Sequence, residues 1–318
     1  MAAADIAASG TAGTIPRPRL EAARPRYGEM AIKWLLGACA ALSVAITIAI
    51  VFSLLFGTID FFREVPVADF LFGTEWTPSF ADPEFGVVPI VVGSLSVVFW
   101  AMLVAIPVGL LSAIFLAEYA PHWLRRIVKP MLEVLAGIPT VAFGLFALAF
   151  LRPLAEDVFP FLDWTGPFSV GVAGVAVGLL IVPLVASISD DAMRAVPASL
   201  REGAHALGAS KLKVSIRVVL PAAISGIVAA IVLAVSRAIG ETMVVLLAAG
   251  ATPQLTFDPA KSVQTMTAYI GQTSTGDIAT GTVDYHTIFA VGALLFVITF
   301  AMNLVAIRFV RRVREVYE

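Results

Sequence analysis

Six stretches of this sequence stay apolar for long enough to cross a lipid bilayer as helices: about 31–57, 88–117, 131–152, 168–190, 218–250 and 286–308. A helix rises about 1.5 Å per residue and the hydrocarbon core is about 30 Å thick, so roughly 20 apolar residues make one crossing. Inside that core every backbone N–H and C=O must be bonded within its own segment, which predicts an all-α integral membrane protein with six transmembrane helices. Composition agrees: 59% of the 318 residues are apolar and only 14% are charged, well below the roughly one quarter of a soluble domain. Several stretches exceed one crossing, so tilt or short interfacial extensions are expected. About 30 residues precede the first stretch and no small-residue cleavage site follows it, so it reads as a retained anchor rather than a signal peptide.

Lysine and arginine are sorted along the chain. Arg17, Arg19, Arg24, Arg26 and Lys33 precede or open the first stretch, and Arg125, Arg126 and Lys129 lie between the second and third. Arg194, Arg201, Lys211, Lys213 and Arg217 lie between the fourth and fifth, and Arg308, Arg311, Arg312 and Arg314 close the chain. The opposite connections hold only Arg63, Arg152 and Lys261. Cytoplasmic loops carry the excess of Lys and Arg, so both termini are expected in the cytoplasm. The first opposite loop instead bears Asp60, Glu64, Asp69, Glu75, Asp82 and Glu84 around the turn-forming Trp76-Thr77-Pro78 and Asp82-Pro83. Such a run reads as a solvated face, with a docking surface for an external partner as the functional alternative.

Other features set limits. A net charge of −2 gives no reason to expect nucleic acid as a partner. Cys39 is the single cysteine, and His122, His205 and His286 are far apart, so neither a disulfide nor a metal site is expected. Pro107, Gly109, Gly137, Pro139, Pro183 and the glycines from Gly171 to Gly178 fall inside apolar stretches, where helix packing explains most of them. Glu118 at the end of the second span reads as solvated, and Glu133 near the start of the third as interfacial. Asp190 and Asp191 stand where they could cap a following helix.

The most informative connection lies between the fourth and fifth spans. From Ala198 to Leu207, after Pro197, apolar and charged residues alternate at helical spacing, and Gly208 supplies the φ > 0 that ends a short helix. A second amphipathic stretch runs from Ser210 to Arg217. Two short helices along the cytoplasmic surface, bent at Gly208, are the expectation. Glu202, Gly203, Ala204, Gly208, Val218, Leu220 and Pro221 stand in a register that resembles the loop of bacterial ABC importer permeases: Glu-Ala-Ala, three residues, Gly, nine residues, Ile, one residue, Leu-Pro. Here Gly203 stands for the usual Ala and Val218 for the usual Ile. The resemblance implies a type I (MetI-like) permease fold. It also implies that Glu202, Gly203, Ala204, Gly208, Leu220 and Pro221 form a coupling element seated on a separate ATPase. The chain has no Gly-Lys dipeptide and so no Walker A loop. ATP and Mg are therefore expected on that partner, with no cofactor and no enzymatic activity in this chain.

In the fifth stretch, Ser236-Arg237-Ala238-Ile239-Gly240-Glu241-Thr242-Met243 sets two charges in an apolar run. An intramembrane arginine costs roughly 2.5–3.5 kcal/mol on insertion scales, so it should face protein or water. On one continuous helix Arg237 and Glu241 are four residues apart and can touch. Either they neutralise each other within the packing or they line a pathway. In the second reading the Arg237 fork receives an oxyanion, and Glu241 pairs with it when the site is empty or accepts the proton of monohydrogen phosphate. The string is similar to the corresponding helix of phosphate permeases of the Pst system, the PstC-type subunit in particular. The long N-terminal tail, first anchor and large first outer loop are similar as well. That resemblance implies a phosphate pathway lined by Arg237 and Glu241, with Ser236 and Thr242 beside them, in a bacterial inner membrane. It further implies a heterodimer with a PstA-like permease, a PstB-like ATPase dimer and a PstS-like external phosphate-binding protein.

The expected organisation is a cytoplasmic tail over 1–30, a first anchor over 31–57, an external loop over 58–87, a permease core over 88–310 with its coupling loop at about 198–217, and a cytoplasmic tail over 311–318. The expected activity is inward passage of phosphate by ATP-driven alternating access. Alternatives are a permease for molybdate or sulfate, or an ion-driven secondary transporter, which would show inverted repeats and broken midplane helices.

Overall fold

The computed structural model describes residues 27–276 and 278–314, and the chain divides into two units at Val51–Phe52. Of the expected tails, residues 1–26 and 315–318 lie outside the described residues. The described residues are all-helical apart from one isolated antiparallel bridge, Trp76 with Phe85.

Helix α1, Tyr27–Glu64, begins in the first unit, where its apolar side chains such as Trp34, Leu35, Leu42 and Ile46 are exposed. That is the surface a helix needs when lipid is its solvent. From Phe52 on the helix belongs to the second unit. There Phe61 is buried with Phe70, Trp76 and Tyr269, and Thr58 donates 3.1 Å to the Phe289 carbonyl. The short helix α2, Val67–Phe72, and the Trp76–Phe85 bridge fold the first loop over this cluster. Phe61 meets Phe70 edge-on at 5.3 Å, and Trp76 meets Tyr269 at 4.9 Å. Aromatic pairs in that geometry contribute about 0.5–1.5 kcal/mol beyond the area they bury. The acids Glu64, Asp69, Glu75, Asp82 and Glu84 point away into solvent.

The centre of the second unit is helix α3, Val88–Ile114, packed along α7, Val170–Arg194, more extensively than any other helix pair. Small residues make this approach possible. A Cβ on Gly178 would lie 2.7 Å from the Ala101 carbonyl oxygen, and one on Gly174 would lie 2.4 Å from Trp100 Cβ. Without a hydrophobic force between helices in lipid, such close van der Waals packing is what holds them. Val97, Ala101 and Ala105 of α3 fill the core against Ala173, Val177 and Ile181 of α7. Ser169 starts α7 by accepting the Val172 N–H at 3.1 Å, a cap contributing about 1 kcal/mol.

Two of the six expected spans are not continuous helices. After α3 and a π-helical turn (Phe115–Tyr119), the chain forms α4, His122–Ala136. It breaks at Gly137–Pro139 and resumes as α5, Thr140–Phe146, a π-helical turn and α6, Arg152–Val158, bent 89° from α4. Pro139 cannot continue the helix that precedes it, and its ring restricts Ile138 to extended backbone. The expected third span, 131–152, therefore begins inside α4. After α8, Ala198–Ala206, come α9, Lys211–Val214, a π-helical turn and α10, Leu220–Ala222. A 70° bend then leads into α11, Ile224–Ile239. The expected fifth span, 218–250, ends early. It breaks at Gly240–Thr242 and is followed by α12, Met243–Ala248, an extended segment, and α13, Met266–Thr275. Helix α14, Val283–Arg314, completes the fold. Among the described residues four helices are thus long and apolar enough to cross a membrane, or up to six spans if each bent pair counts as one. Arg152, read as a loop cation, is instead buried: it donates 2.6 Å to the Gly166 carbonyl and stacks 4.4 Å over Trp164.

Candidate functional site

The loop between α7 and α11 forms as its spacing predicts. Pro197 starts α8, and Gly208 ends it at φ +79°. The Gly208 N–H donates to His205 O at 2.9 Å and the Ala209 N–H to Ala204 O at 3.1 Å, which satisfies the last carbonyls of the helix. The second stretch is helical from Lys211 through a π-helical turn to Val219. Glu202, Gly203, Gly208 and Pro221 are exposed, and Leu207 is 90% exposed. Ala204 and Leu220 are half-buried against Ala113, Met193, Val214 and Val219. One face of the loop is thus held to the core and the other is presented outward, the layout an interaction surface requires.

Charged residues fix that loop to its neighbours. Arg201 on α8 donates to Val196 O at 2.6 Å, to Met193 O at 2.7 Å and to Glu118 Oε1 at 3.2 Å. Glu118 is therefore not solvated. Its side chain is 8% exposed and reaches across from the π-helical turn after α3. Asp190 and Asp191 do not cap α8, whose N-terminus has no side-chain cap. Asp190, fully buried, accepts from Arg125 at 2.6 Å with Lys129 at 3.6 Å, and Asp191 accepts from Lys129 at 2.5 Å. These bonds tie α4 to the end of α7. The reason is geometric: Arg125 and Lys129 are one turn apart on α4 and face the same stretch of α7.

The second expected site is divided by the helix break. With α11 ending at Ile239, Arg237 and Glu241 no longer share a helical face, and they form no ion pair. Glu241 is buried at the start of α12, where its Oε1 accepts from the Val244 N–H at 3.4 Å. Its carbonyl accepts from Thr267 Oγ1 at 2.7 Å, which anchors the break to α13. Thr242 Oγ1 turns back to Gly240 O at 3.3 Å, and Ser236 Oγ donates to Asn303 Oδ1 of α14 at 2.9 Å. Arg237 instead lines a cavity of about 210 Å³ with Glu133, Ser187, Pro183, Leu132 and Leu184. The carboxylate facing its cavity is thus Glu133 of α4, not Glu241. Among the described residues Arg237 makes no ion pair, so its donors remain available. A larger cavity of about 560 Å³, between Trp100, Leu103, Leu151, Phe159 and Trp164, is almost entirely apolar and offers nothing to hold an ion.

Sequence reasoning passed over Glu133 and Glu118 as site residues. The one signal available was that each is a carboxylate beside an apolar run.

The chain matches the family described as "Binding-protein-dependent transport system inner membrane component" over residues 105–315. It is 33% identical over 290 residues to the probable ABC transporter permease protein YqgH of Bacillus subtilis (strain 168), covering 91% of this chain and 92% of that one. It is 33% identical over 270 residues to the phosphate transport system permease protein PstC of Pasteurella multocida (strain Pm70), covering 79% and 82%. Among solved structures, a bacterial ABC transporter involved in the import of the polysaccharide alginate aligns with TM-score 0.62 at 14% identity, over 92% of this chain and 99% of that one. The inward-facing MetNI methionine ABC transporter aligns with TM-score 0.51 at 20% identity, over 72% and 94%. These two likenesses establish the fold, the MetI-like permease fold. With the matched family model and the relatives together, the chain belongs to the binding-protein-dependent transport system inner membrane components, as a permease subunit of an ABC importer.

Proposed function

We propose that this permease carries inorganic phosphate inward by ATP-driven alternating access, with Arg237 as the residue that receives the anion. The observation that carries the reading is the Arg237 guanidinium, unpaired among the described residues, lining a largely apolar cavity of about 210 Å³ whose other polar side chains are Glu133 and Ser187. A planar fork of donors matches a tetrahedral oxyanion. The phosphate assignment is supported by the PstC relatives. Ser236 and Thr242 flank the same stretch of backbone and belong to the pathway by resemblance. Glu241 keeps its place there as the residue that holds the break open behind Arg237.

The remaining parts of the machine follow from the resemblance. The exposed face of α8, with Glu202, Gly203, Ala204 and Gly208, and the Leu220–Pro221 corner are the contact for a PstB-like ATPase dimer, which holds ATP and Mg. A PstA-like permease completes the translocation path, and a PstS-like binding protein delivers the anion outside. Both termini are cytoplasmic in a bacterial inner membrane, the side to which most of the Lys and Arg are sorted.

The test is ATP-dependent uptake of radiolabelled phosphate by the reconstituted transporter, with Arg237→Gln as the variant. Removing a charge-assisted contact to the anion corresponds to at least about tenfold slower uptake in a complex that still assembles. Wild-type rates from Arg237→Gln would remove the residue from the pathway. Uptake of molybdate or sulfate in place of phosphate would refute the phosphate assignment.

A further inference from the structure

We infer that Arg201 and Glu118 form a strut that carries the motion of α8 into the transmembrane core, and that they are positioning residues for ATP coupling. The inference rests on the reading of α8 as the ATPase contact. Three facts carry it. Arg201 sits next to the exposed Glu202, so the residue presented outward and the residue held inward are neighbours on one short helix. Its guanidinium is divided among three acceptors on two other elements: Met193 O at 2.7 Å and Val196 O at 2.6 Å at the end of α7, and Glu118 Oε1 at 3.2 Å beyond α3. Apart from this, the half-buried Ala204 is what packs α8 onto the core. No α8 residue is buried, and its N-terminus lacks a side-chain cap. A nine-residue helix with so small an apolar face would shift against the core without such a tie.

The geometry suits force transfer. A planar guanidinium with donors on three nitrogens fixes both distance and orientation, whereas a single ammonium would act as a pivot. The carbonyls it holds lie at and just beyond the end of α7: Met193 O, which also accepts from the Val196 N–H at 3.3 Å, and Val196 O, two residues past Arg194. The same segment of α7 carries Asp190, which grips Arg125 and Lys129 of α4. Helix α4 in turn brings Glu133 to the cavity of Arg237. A displacement of α8 by the ATPase therefore has a continuous route of charge-assisted bonds to the end of α7 and on to the wall of that cavity.

The test uses the assembled transporter with its ATPase and binding protein, comparing wild type, Arg201→Gln, Arg201→Lys and Glu118→Gln. Glu118→Gln leaves the carbonyl bonds of Arg201 in place and decides the matter if Arg201→Gln fails to assemble. Two quantities are read. The first is ATP hydrolysed per phosphate imported, which should rise by roughly tenfold in Arg201→Gln, the fold-change that goes with losing a charge-assisted hydrogen bond. It should rise by less in Glu118→Gln, and Arg201→Lys should not restore it. The second needs no substrate: on a Cys39→Ser background, spin labels at Leu207→Cys and Leu103→Cys report the distance between α8 and α3 with and without trapped nucleotide. A single narrow distribution is expected in wild type and a broadened one in the variants. An unchanged ratio with an unchanged distribution overturns the strut. So does a proportional fall of uptake and hydrolysis, which marks a merely structural role. If wild type imports no phosphate, the substrate reading falls while the distance measurement still decides the strut.

Discussion

Arg201 and Arg237 are both arginines on helices that border the core, and their surroundings give them opposite behaviour. Arg201 has its donors committed to two carbonyls and a carboxylate, so it holds a position. Arg237 has no ion-pair partner among the described residues and faces a cavity, so its donors are uncommitted. Charge count alone would have treated them alike. The glycines of α7 show the same dependence on surroundings. A side chain at Gly178 would have to displace the backbone carbonyl of Ala101, which cannot move without shifting α3. Gly178→Val is therefore expected to destabilise the α3–α7 pair by about 1–3 kcal/mol, the usual penalty of overpacking. Thermal unfolding of the purified transporter in detergent checks this; an unchanged midpoint would show that α3 has room to give.

At the scale of elements, the two broken spans and the bent loop decide what the permease can do. The α8–α9 bend rests on Gly208 at φ +79°, and no atom lies within 4 Å of where its Cβ would be. Substitution there is penalised by backbone conformation and not by space. Gly208→Val should lose about 1–2 kcal/mol or more of the bend's stability, because side chains clash with the following carbonyl in the left-handed region. Gly208→Asn, whose short polar side chain tolerates that region, should lose less. ATP-driven uptake should follow the order Gly, Asn, Val, and equal activity of all three would place the bend elsewhere. This bend was legible in the sequence because both its signals, Pro197 and Gly208, are local. The break at Gly240–Thr242 was not. Gly240 is compatible with a helix C-cap, but the neighbouring apolar run reads as one long helix, and the Thr267 hydroxyl that holds the Glu241 carbonyl comes from α13. A long-range hydrogen bond has no signature in the periodicity of the segment it acts on.

At the scale of the whole molecule, the second unit is joined at one end by aromatic packing and at the other by ion pairs. Around Phe61, Phe70, Trp76 and Tyr269 the contacts are apolar. At the end of α7 they are Asp190 with Arg125 and Lys129, and Arg201 with Glu118. Asp190 is fully buried, so Asp190→Ala would leave Arg125 without its partner beside the core. Breaking a buried pair in this way is destabilising by about 3–5 kcal/mol, and the assembled complex should melt at clearly lower temperature. An unaltered melting curve would mean that Lys129 and Asp191 alone hold α4. The sequence by itself determined the solvent of this protein, its helical class, the loop bent at Gly208 and the presence of an arginine in an apolar span. Each of these rests on local composition or spacing. Only the tertiary structure decided which carboxylate meets which cation. It gave Arg237 a cavity shared with Glu133, gave Glu118 to Arg201, and turned Asp190 and Asp191 toward α4. Side chains far apart in the chain become neighbours only when helices break and pack, and no periodicity within a single segment records where its partner lies.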